Sequence, residues 1–403
     1  MFSFQEQDFS PIRIKVVGIG GAGCNAVNTM IAAGLNRVEF VVANTDLQSL
    51  GKASAPFKIQ LGPERTRGLG AGAKPEVGKE SAIESEEEIR EALAGADMVF
   101  VTAGMGGGTG TGGAPIVASI ARELGILTVG VVTKPFQYEG QRRMGYADEG
   151  LRELKRHVDS LLVIPNQKLL SLLEKSTPLL EAFKVADDVL RQAIKGITDV
   201  ITTPGLVNVD FADVKTVMSY TGKAVMGMGI ARGTNRATEA SKQAISSPLL
   251  EDGSVEGAKG LLINISGGLN LSLHEVDEAS NIAKEAADPN ANIIVGQVID
   301  PDLDDEIVVT VIATGFEYAE SKNGSQPVVS PAVQERPKLY TPAPAPQPAL
   351  ASVRMGPMGP DPQDLDRPAF MRRVENQRQN GGVGNLLVDE DWDVPTFLRR
   401  RGN

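Results

Sequence analysis

Gly104-Met105-Gly106-Gly107-Gly108-Thr109-Gly110-Thr111-Gly112-Gly113 decides how the rest of the chain is read. Seven of these ten residues are glycine and two of the other three carry small hydroxyls. Without Cβ atoms in the way, backbone N–H groups of such a run can turn toward one point. Followed by a helix N-terminus, they form a concavity suited to phosphate. Asp97–Thr102 ahead of the run reads as a buried strand, and Ala114–Ala121 behind it as a helix with Pro115 in its first turn. Strand, glycine loop and helix together are the context a phosphate loop needs; a flexible linker would not sit between two apolar elements.

Composition narrows the classes. A chain of 403 residues points to two or three domains. It contains no apolar run long enough for a transmembrane helix, and its first residues lack the basic and apolar regions of a secretory signal. The single cysteine, Cys24, excludes an internal disulfide and fits a reducing cytoplasm. One cysteine and two histidines make a His/Cys metal site a poor reading. A net charge of −11 argues against general nucleic-acid binding and leaves phosphates to backbone dipoles and a cation.

The pattern before the glycine run is α/β. A strand at Ile12–Gly18 enters Gly18-Ile19-Gly20-Gly21-Ala22-Gly23-Cys24-Asn25, and a helix is expected from Ala26 toward Ala33. Gly18, Gly20 and Gly23 match G-x-G-x-x-G, and Asp46, after a strand at Val38–Asn44, stands about where a dinucleotide fold places its ribose contact. A nicotinamide-dependent oxidoreductase is therefore a legitimate rival, although it gives no task to Gly104–Gly113. Between Gly62 and Glu91 a loop and a surface helix are expected, with Gly68–Gly72 near phosphate or mobile. A strand at Leu127–Val132, a turn at Thr133–Phe136, a helix through Glu139 and Arg143, and a strand at Leu161–Ile164 ending in Pro165-Asn166 complete the alternation. It predicts a Rossmann-like, doubly wound parallel sheet over 12–177, after a tail at 1–11. Ligands bind at the loops after such strands, which gathers 18–25, 44–46, 104–113, 133–143 and 166 around one pocket.

From Pro178 to Thr203 apolar residues recur at three- and four-residue steps. About 25 helical residues would span near 38 Å, so this helix (178–205) is expected to be central, ended by Thr203-Pro204-Gly205. A smaller α+β domain is read over 206–316, with strands at Lys223–Ala231, Gly260–Ile265, Ile293–Ile299 and Ile307–Ala313. Helices are expected near 211–219, 237–246 and 274–287. Eleven prolines between Pro327 and Pro368 mark 317–385 as a disordered linker. The end, 386–403, holds the only Trp and reads as a partner-binding peptide, a frayed tail being the plainer alternative.

At this point the chain resembles the tubulin/FtsZ family. Gly106-Gly107-Gly108-Thr109-Gly110-Thr111-Gly112 looks like its signature, and Asn208-Val209-Asp210-Phe211-Ala212-Asp213 like its synergy loop. The likeness extends over 12–316 and returns in the terminal peptide. It implies a tubulin-like GTPase that polymerises head to tail into the division ring at midcell, in the cytoplasm beneath the inner membrane. GTP or GDP would bind with Mg2+, and K+ is a further cation considered. Gly20, Gly21, Gly107, Gly108 and Gly110 would offer N–H groups to the phosphates, with hydroxyls from Thr109 and Thr111. Ala22, Gly23, Cys24, Asn25, Asn44, Asp46, Gly104, Gly106, Thr133, Pro135 and Asn166 complete the expected nucleotide site. There is no G-x-x-x-x-G-K-[ST] lysine loop. Glu139 and Arg143, four apart on one helix face, are an ordinary surface ion pair without the resemblance and approach ribose and phosphates with it. Asp187 would accept the guanine N1–H and N2–H2 donors, and Phe183 would stack on the base or serve the core.

Asp210 by itself reads as an N-cap with Asp213 at the third helical position. The resemblance adds that Asn208, Asp210 and Asp213 enter the next subunit's nucleotide site and position the attacking water. A nucleotide-binding polymer without turnover is the third reading, which these carboxylates oppose. Asp391, Trp392, Val394, Pro395, Phe397, Leu398 and Arg399 would dock on membrane-tethering partners such as FtsA and on other division regulators. The linker would reach roughly 45–50 Å.

Overall fold

The computed structural model describes residues 12–316, except 172, 175, 203–208, 221–222, 251–254 and 256. Ten strands alternate with helices. They are β1 (Ile14–Ile19), β2 (Glu39–Asn44), β3 (Phe57–Gln60), β4 (Met98–Gly104), β5 (Leu127–Lys134), β6 (Ser160–Pro165), β7 (Lys223–Arg232), β8 (Gly260–Gly267), β9 (Asn292–Ile299) and β10 (Glu306–Phe316). The helices before the middle of the chain are α1 (Gly20–Ala32), α2 (Leu47–Lys52), α3 (Pro63–Thr66), α4 (Pro75–Glu84), α5 (Glu86–Leu93), α6 (Thr109–Glu123), α7 (Gln141–Leu154) and α8 (Asn166–Leu169). Then come α9 (Leu179–Thr202), α10 (Phe211–Met218), α11 (Arg236–Ile245) and α12 (Leu273–Glu285).

The sheet order is β3-β2-β1-β4-β5-β6-β7-β10-β8-β9. The first six strands are parallel, in the 3-2-1-4-5-6 order of a doubly wound dinucleotide fold. The small sheet expected over 206–316 is a mixed block, β7-β10-β8-β9, with β10 antiparallel to both neighbours and β8 parallel to β9. It is joined to the parallel strands through two register pairs, Leu161–Lys223 and Leu162–Ala224. The strand order reverses between β1 and β4, so the ends of these two strands frame the ligand crevice of such a fold.

Period-two alternation sends successive strand residues to opposite layers. Val16, Phe40, Val42, Met98, Phe100, Val129 and Val131 pack with α1 and α9, whereas Val17, Ile19, Val41, Val99 and Val101 pack with α4, α5, α6 and α7. A third cluster sets α11 and α12 against the mixed block. The central helix, 24 residues long, buries Ala186, Val189, Leu190, Ala193, Ile194, Ile197 and Val200. Its expected stop at Thr203-Pro204-Gly205 lies outside the described residues, as do the linker and the terminal peptide.

Four local expectations are corrected. Helix α1 begins at Gly20, not Ala26, because Gly20 at φ +71° turns directly from β1 into the helix. Helix α6 begins at Thr109, not Ala114, so Pro115 lies inside it and not in its first turn. Consecutive glycines weaken an isolated helix, but here they let α4 rest on it. A Cβ at Gly78 would stand 2.3 Å from the Gly108 carbonyl oxygen. The Gly62–Glu91 segment, expected to be a loop and one surface helix, accordingly holds α3, α4 and α5, with Gly78, Ser81 and Ala82 buried. Glu139 and Arg143 do not share a helix. Gln137–Glu139 is a 3-10 turn, and Gly140 at φ +96° separates it from α7.

Candidate active site

A cleft of about 240 Å³ lies at the ends of β1 and β4. Its floor is Gly20, Gly21 and Ala22 from the start of α1, together with Gly104, Gly107, Gly108, Thr109 and Gly110 leading into α6. Two helix N-termini thus border the same space, each with unsatisfied N–H groups and about half a positive charge. Among the lining residues Arg143 is the one Lys or Arg cation, so an anion here is held chiefly by backbone. Glycines divide into two kinds around the cleft. At Gly20 an added Cβ would stand 2.9 Å from the Gly110 nitrogen, so this glycine serves packing. At Gly21 and Gly107 no neighbour lies within 4 Å of that position, so their bareness leaves room for a ligand.

The loop is held by its own side chains. Thr111 Oγ1 accepts the Gly106 N–H at 2.8 Å, and the Thr109 and Thr45 hydroxyls are 2.6 Å apart. Met105 N–H donates to the Thr133 carbonyl at 2.9 Å, fixing β4 against β5 at the rim. On the far wall stand Thr133, Pro135, Glu139, Arg143, Asn166, Phe183 and Asp187. Glu139 and Arg143 pair at 2.9 Å, and Glu139 also accepts the Phe136 N–H at 2.8 Å. The Phe183 ring meets Phe136 edge-on at 5.5 Å, leaving it partly exposed at the cleft. Burial pushes the Asp187 carboxyl up to about 7. Asn166 Oδ1 is buried without a protein hydrogen-bond partner. An unpartnered buried acceptor and a desolvated carboxyl on one wall favour a ligand edge that donates hydrogen bonds.

Several expected residues stand elsewhere. Cys24 points into the core beside α9's apolar face, where burial lifts its thiol to about 11, so its side chain is corrected from ligand to core. Gly23 is a packing residue, since a Cβ there would stand 2.6 Å from the Thr102 carbonyl oxygen. Asn25 is exposed on α1 and does not line the cleft. Asn44 is buried, and its Oδ1 accepts the Asp46 N–H at 3.4 Å. Asp46 caps α2 by accepting from Gln48 and Ser49. Gly106 and Thr111 shape the loop without lining the cleft. Ile19, Met105 and Ala186 line it, although sequence reasoning does not single them out. Each adjoins a residue that it does, so neighbourhood in the chain is the available signal. Asp210 caps α10 by accepting the Asp213 N–H at 2.8 Å, and both carboxylates are exposed and absent from the cleft lining. Asn208 lies outside the described residues.

The sequence model of the Tubulin/FtsZ family, GTPase domain, matches residues 13–174, and that of the FtsZ family, C-terminal domain, matches 222–317. A solved structure of M. jannaschii FtsZ, described as an empty dimer, is 48% identical, covers 76% of this chain and 89% of its own, and superposes with a TM-score of 0.74. The chain belongs to the FtsZ family. A tryptophan-to-tyrosine mutant of M. jannaschii FtsZ is similar at 47% identity, over 76% of this chain and 92% of that one, with a TM-score of 0.73. CetZ1 from Haloferax volcanii, a GDP-bound monomer, is 21% identical over 77% of this chain and 96% of its own, at TM-score 0.66, and shares the fold. As an FtsZ-family member this chain is a tubulin-like GTPase of cell division, and GTP and GDP are its ligands. Among the described residues no helix is long and apolar enough to cross a membrane.

Proposed function

We propose that this chain assembles head to tail into protofilaments of a division ring and hydrolyses GTP where two subunits meet. One observation carries the reading: the glycine floor, which we assign to the phosphates, and the Asn166–Asp187 base wall, which we assign to guanine, lie in one chain, while Asp210 and Asp213 stand exposed outside the cleft. A second copy that brought α10 to the cleft would add the two carboxylates that orient water for in-line attack. The rim supports a covering partner. Leu180 is 70% exposed and Leu179 63%, both within one turn of Phe183, and Tyr138 beside Phe136 is 63% exposed. Leu269 and Leu273, ahead of and at the start of α12, are exposed by 81% and 80% and supply a second apolar surface. Monomers seldom leave such patches bare. The 48%-identical M. jannaschii protein was solved as a dimer.

Mg2+ is taken to arrive on the phosphates. Among the described residues no group of three acidic, His or Cys side chains gathers that could cage it, and Mg2+ commonly keeps water and phosphate oxygens as ligands. The terminal peptide, 386–403, is the segment we assign to membrane tethers such as FtsA, which would hold the filament at midcell beneath the membrane.

The test is GTP hydrolysis per subunit as a function of protein concentration, with light scattering on the same samples. A split site is silent when dilute and switches on with scattering above a critical concentration. Specific activity that stays flat with concentration would mean a site complete in one chain, and would return Asp210 and Asp213 to helix capping alone.

A further inference from the structure

Thr45 follows β2 and stands between Asn44 and Asp46, whose side chains turn to local hydrogen bonds. Its own side chain reaches further. Thr45 is 0% exposed, and its hydroxyl lies 2.6 Å from that of Thr109, the first residue of α6. Thr109 lines the nucleotide cleft and Thr45 does not. The backbone of Thr109 is confined from α4, since a Cβ at Gly78 would stand 2.9 Å from Thr109 Cα.

Burial fixes the direction of this hydrogen bond. Each hydroxyl has one proton to donate and lone pairs that accept. Among the described residues Thr109 Oγ1 is the one hydrogen-bond partner of the Thr45 hydroxyl. Were Thr109 the donor, the Thr45 proton would be buried without an acceptor, the costly case of an unmade bond. With Thr45 as donor, the buried proton is satisfied and the Thr109 proton is free for an acceptor in the cleft. Two hydroxyls in series also polarise one another, so the outer one is the stronger donor. The Thr45 carbonyl has a separate task. It accepts the Gly70 N–H at 3.1 Å and the Thr66 hydroxyl at 3.3 Å, bonds that do not involve the Thr45 side chain.

We propose that Thr45 is a positioning residue for nucleotide binding: its buried hydroxyl donates to Thr109 Oγ1 and so commits the Thr109 proton to a phosphate oxygen. The pair makes this corner of the floor a donor, matched to a ligand oxygen that only accepts. It adds an oriented O–H to the backbone N–H groups of a cleft in which Arg143 is the one Lys or Arg cation among the lining residues. The inference rests on the reading of the glycine floor as the phosphate site.

The experiment is calorimetric GDP titration of the full-length chain and its variants. Thr45→Val and Thr45→Ala, which remove the hydroxyl and keep the carbonyl, bind GDP roughly three- to tenfold more weakly, the loss that one neutral hydrogen bond produces. Thr45→Ser differs from Thr45→Ala by the hydroxyl alone and binds within about twofold of the parent. Thr109→Ala removes the donor to the anion and loses roughly tenfold or more, and Thr45→Ala adds nothing to that loss. A packing fault would instead follow the missing methyl, weakening Thr45→Ser as much as Thr45→Ala, and would persist without the Thr109 hydroxyl. Either of those results would overturn the proposal, and so would binding within about twofold of the parent in both Thr45→Val and Thr45→Ala. If Thr109→Ala binds GDP as the parent does, the floor is not the phosphate site, and that reading and the proposal fall together. A loss in Thr109→Ala with none in the Thr45 variants overturns the proposal alone.

Discussion

Gly112 and Pro75 meet backbone to backbone: the Cβ that Gly112 lacks would stand 2.0 Å from the Pro75 carbonyl oxygen. Helix α4 thus lies directly on the helix that leaves the phosphate loop. Gly112→Ala is expected to force the two apart, costing about 1–3 kcal/mol or more and loosening the loop. Gly107→Ala, with no neighbour within 4 Å of the new methyl, should change stability by no more than about 0.5 kcal/mol while weakening GDP binding. Thermal melts and GDP titrations of the two variants separate packing glycines from ligand glycines. Equal losses of stability in both would contradict the division.

Asp187 predicts a pH dependence of nucleotide affinity. Its carboxyl is held at about 7 by burial. On the proposed base contact, guanine's N–H donors require the carboxylate in the bound form. Below about pH 7 the free cleft must first lose a proton, and affinity should fall by up to about tenfold per pH unit. Without nucleotide the sign reverses for stability. The folded state holds this proton more tightly than the unfolded chain, so the group's contribution is present below the unfolded carboxyl range and is lost as pH rises toward 7. GDP titrations between about pH 5.5 and 8 check the first statement, and Asp187→Asn should flatten the profile.

Asp210 and Asp213 separate capping from catalysis. Asp210→Asn keeps an N-cap oxygen and removes the charge, so stability should hold while hydrolysis falls. Asp210→Ala should lose about 1 kcal/mol of stability as well. Asp213→Ala is expected to bind GTP normally and lose most turnover. Full turnover in Asp213→Ala, measured by phosphate release above the critical concentration, would remove the split site.

Arg236 is a buried cation that binds three segments. Its guanidinium donates to Glu275 at 2.6 Å, to Asp305 at 3.0 Å and to the Asn270 side chain at 3.2 Å. The Arg236 hydrogen bond, above all, lowers the Glu275 carboxyl to about 2. Glu275 also completes the capping box of α12 with Ser272. Arg236→Met leaves Glu275 without its cation and should cost about 3 kcal/mol or more. The pair's contribution is present above the ordinary carboxylate range, near pH 4.5, and is lost as pH falls toward 2. Denaturant melts at neutral and acid pH should show the variant's deficit shrinking in acid. An unchanged midpoint at neutral pH would show that the cluster bears no stability.

The elements were legible because strands and helices here carry strong periodic patterns. Alternation placed β1, β4 and β5 within about two residues, and the three-and-four spacing gave the central helix from Pro178 nearly to its observed start at Leu179. Glycine-rich stretches were less legible. Propensity argues for loops at Gly20–Asn25 and Thr109–Gly113, and it is overruled where another backbone packs at van der Waals distance and only glycine leaves the space. Within the site, Asn44 and Asp46 adjoin the expected pocket in sequence but turn their side chains to local hydrogen bonds.

Sequence alone determined the alternation of elements, the two glycine loops and the acid pair at 210 and 213, because each is written in residues close together in the chain. Tertiary structure decided what depends on residues far apart. It set the sheet order that brings β1 beside β4, the seating of α4 on α6, and the burial that raises the Asp187 carboxyl. It also fixed the separation of Asp210 and Asp213 from the cleft. Local propensity acts over a few residues, whereas desolvation and close backbone contact exist only once the layers have packed.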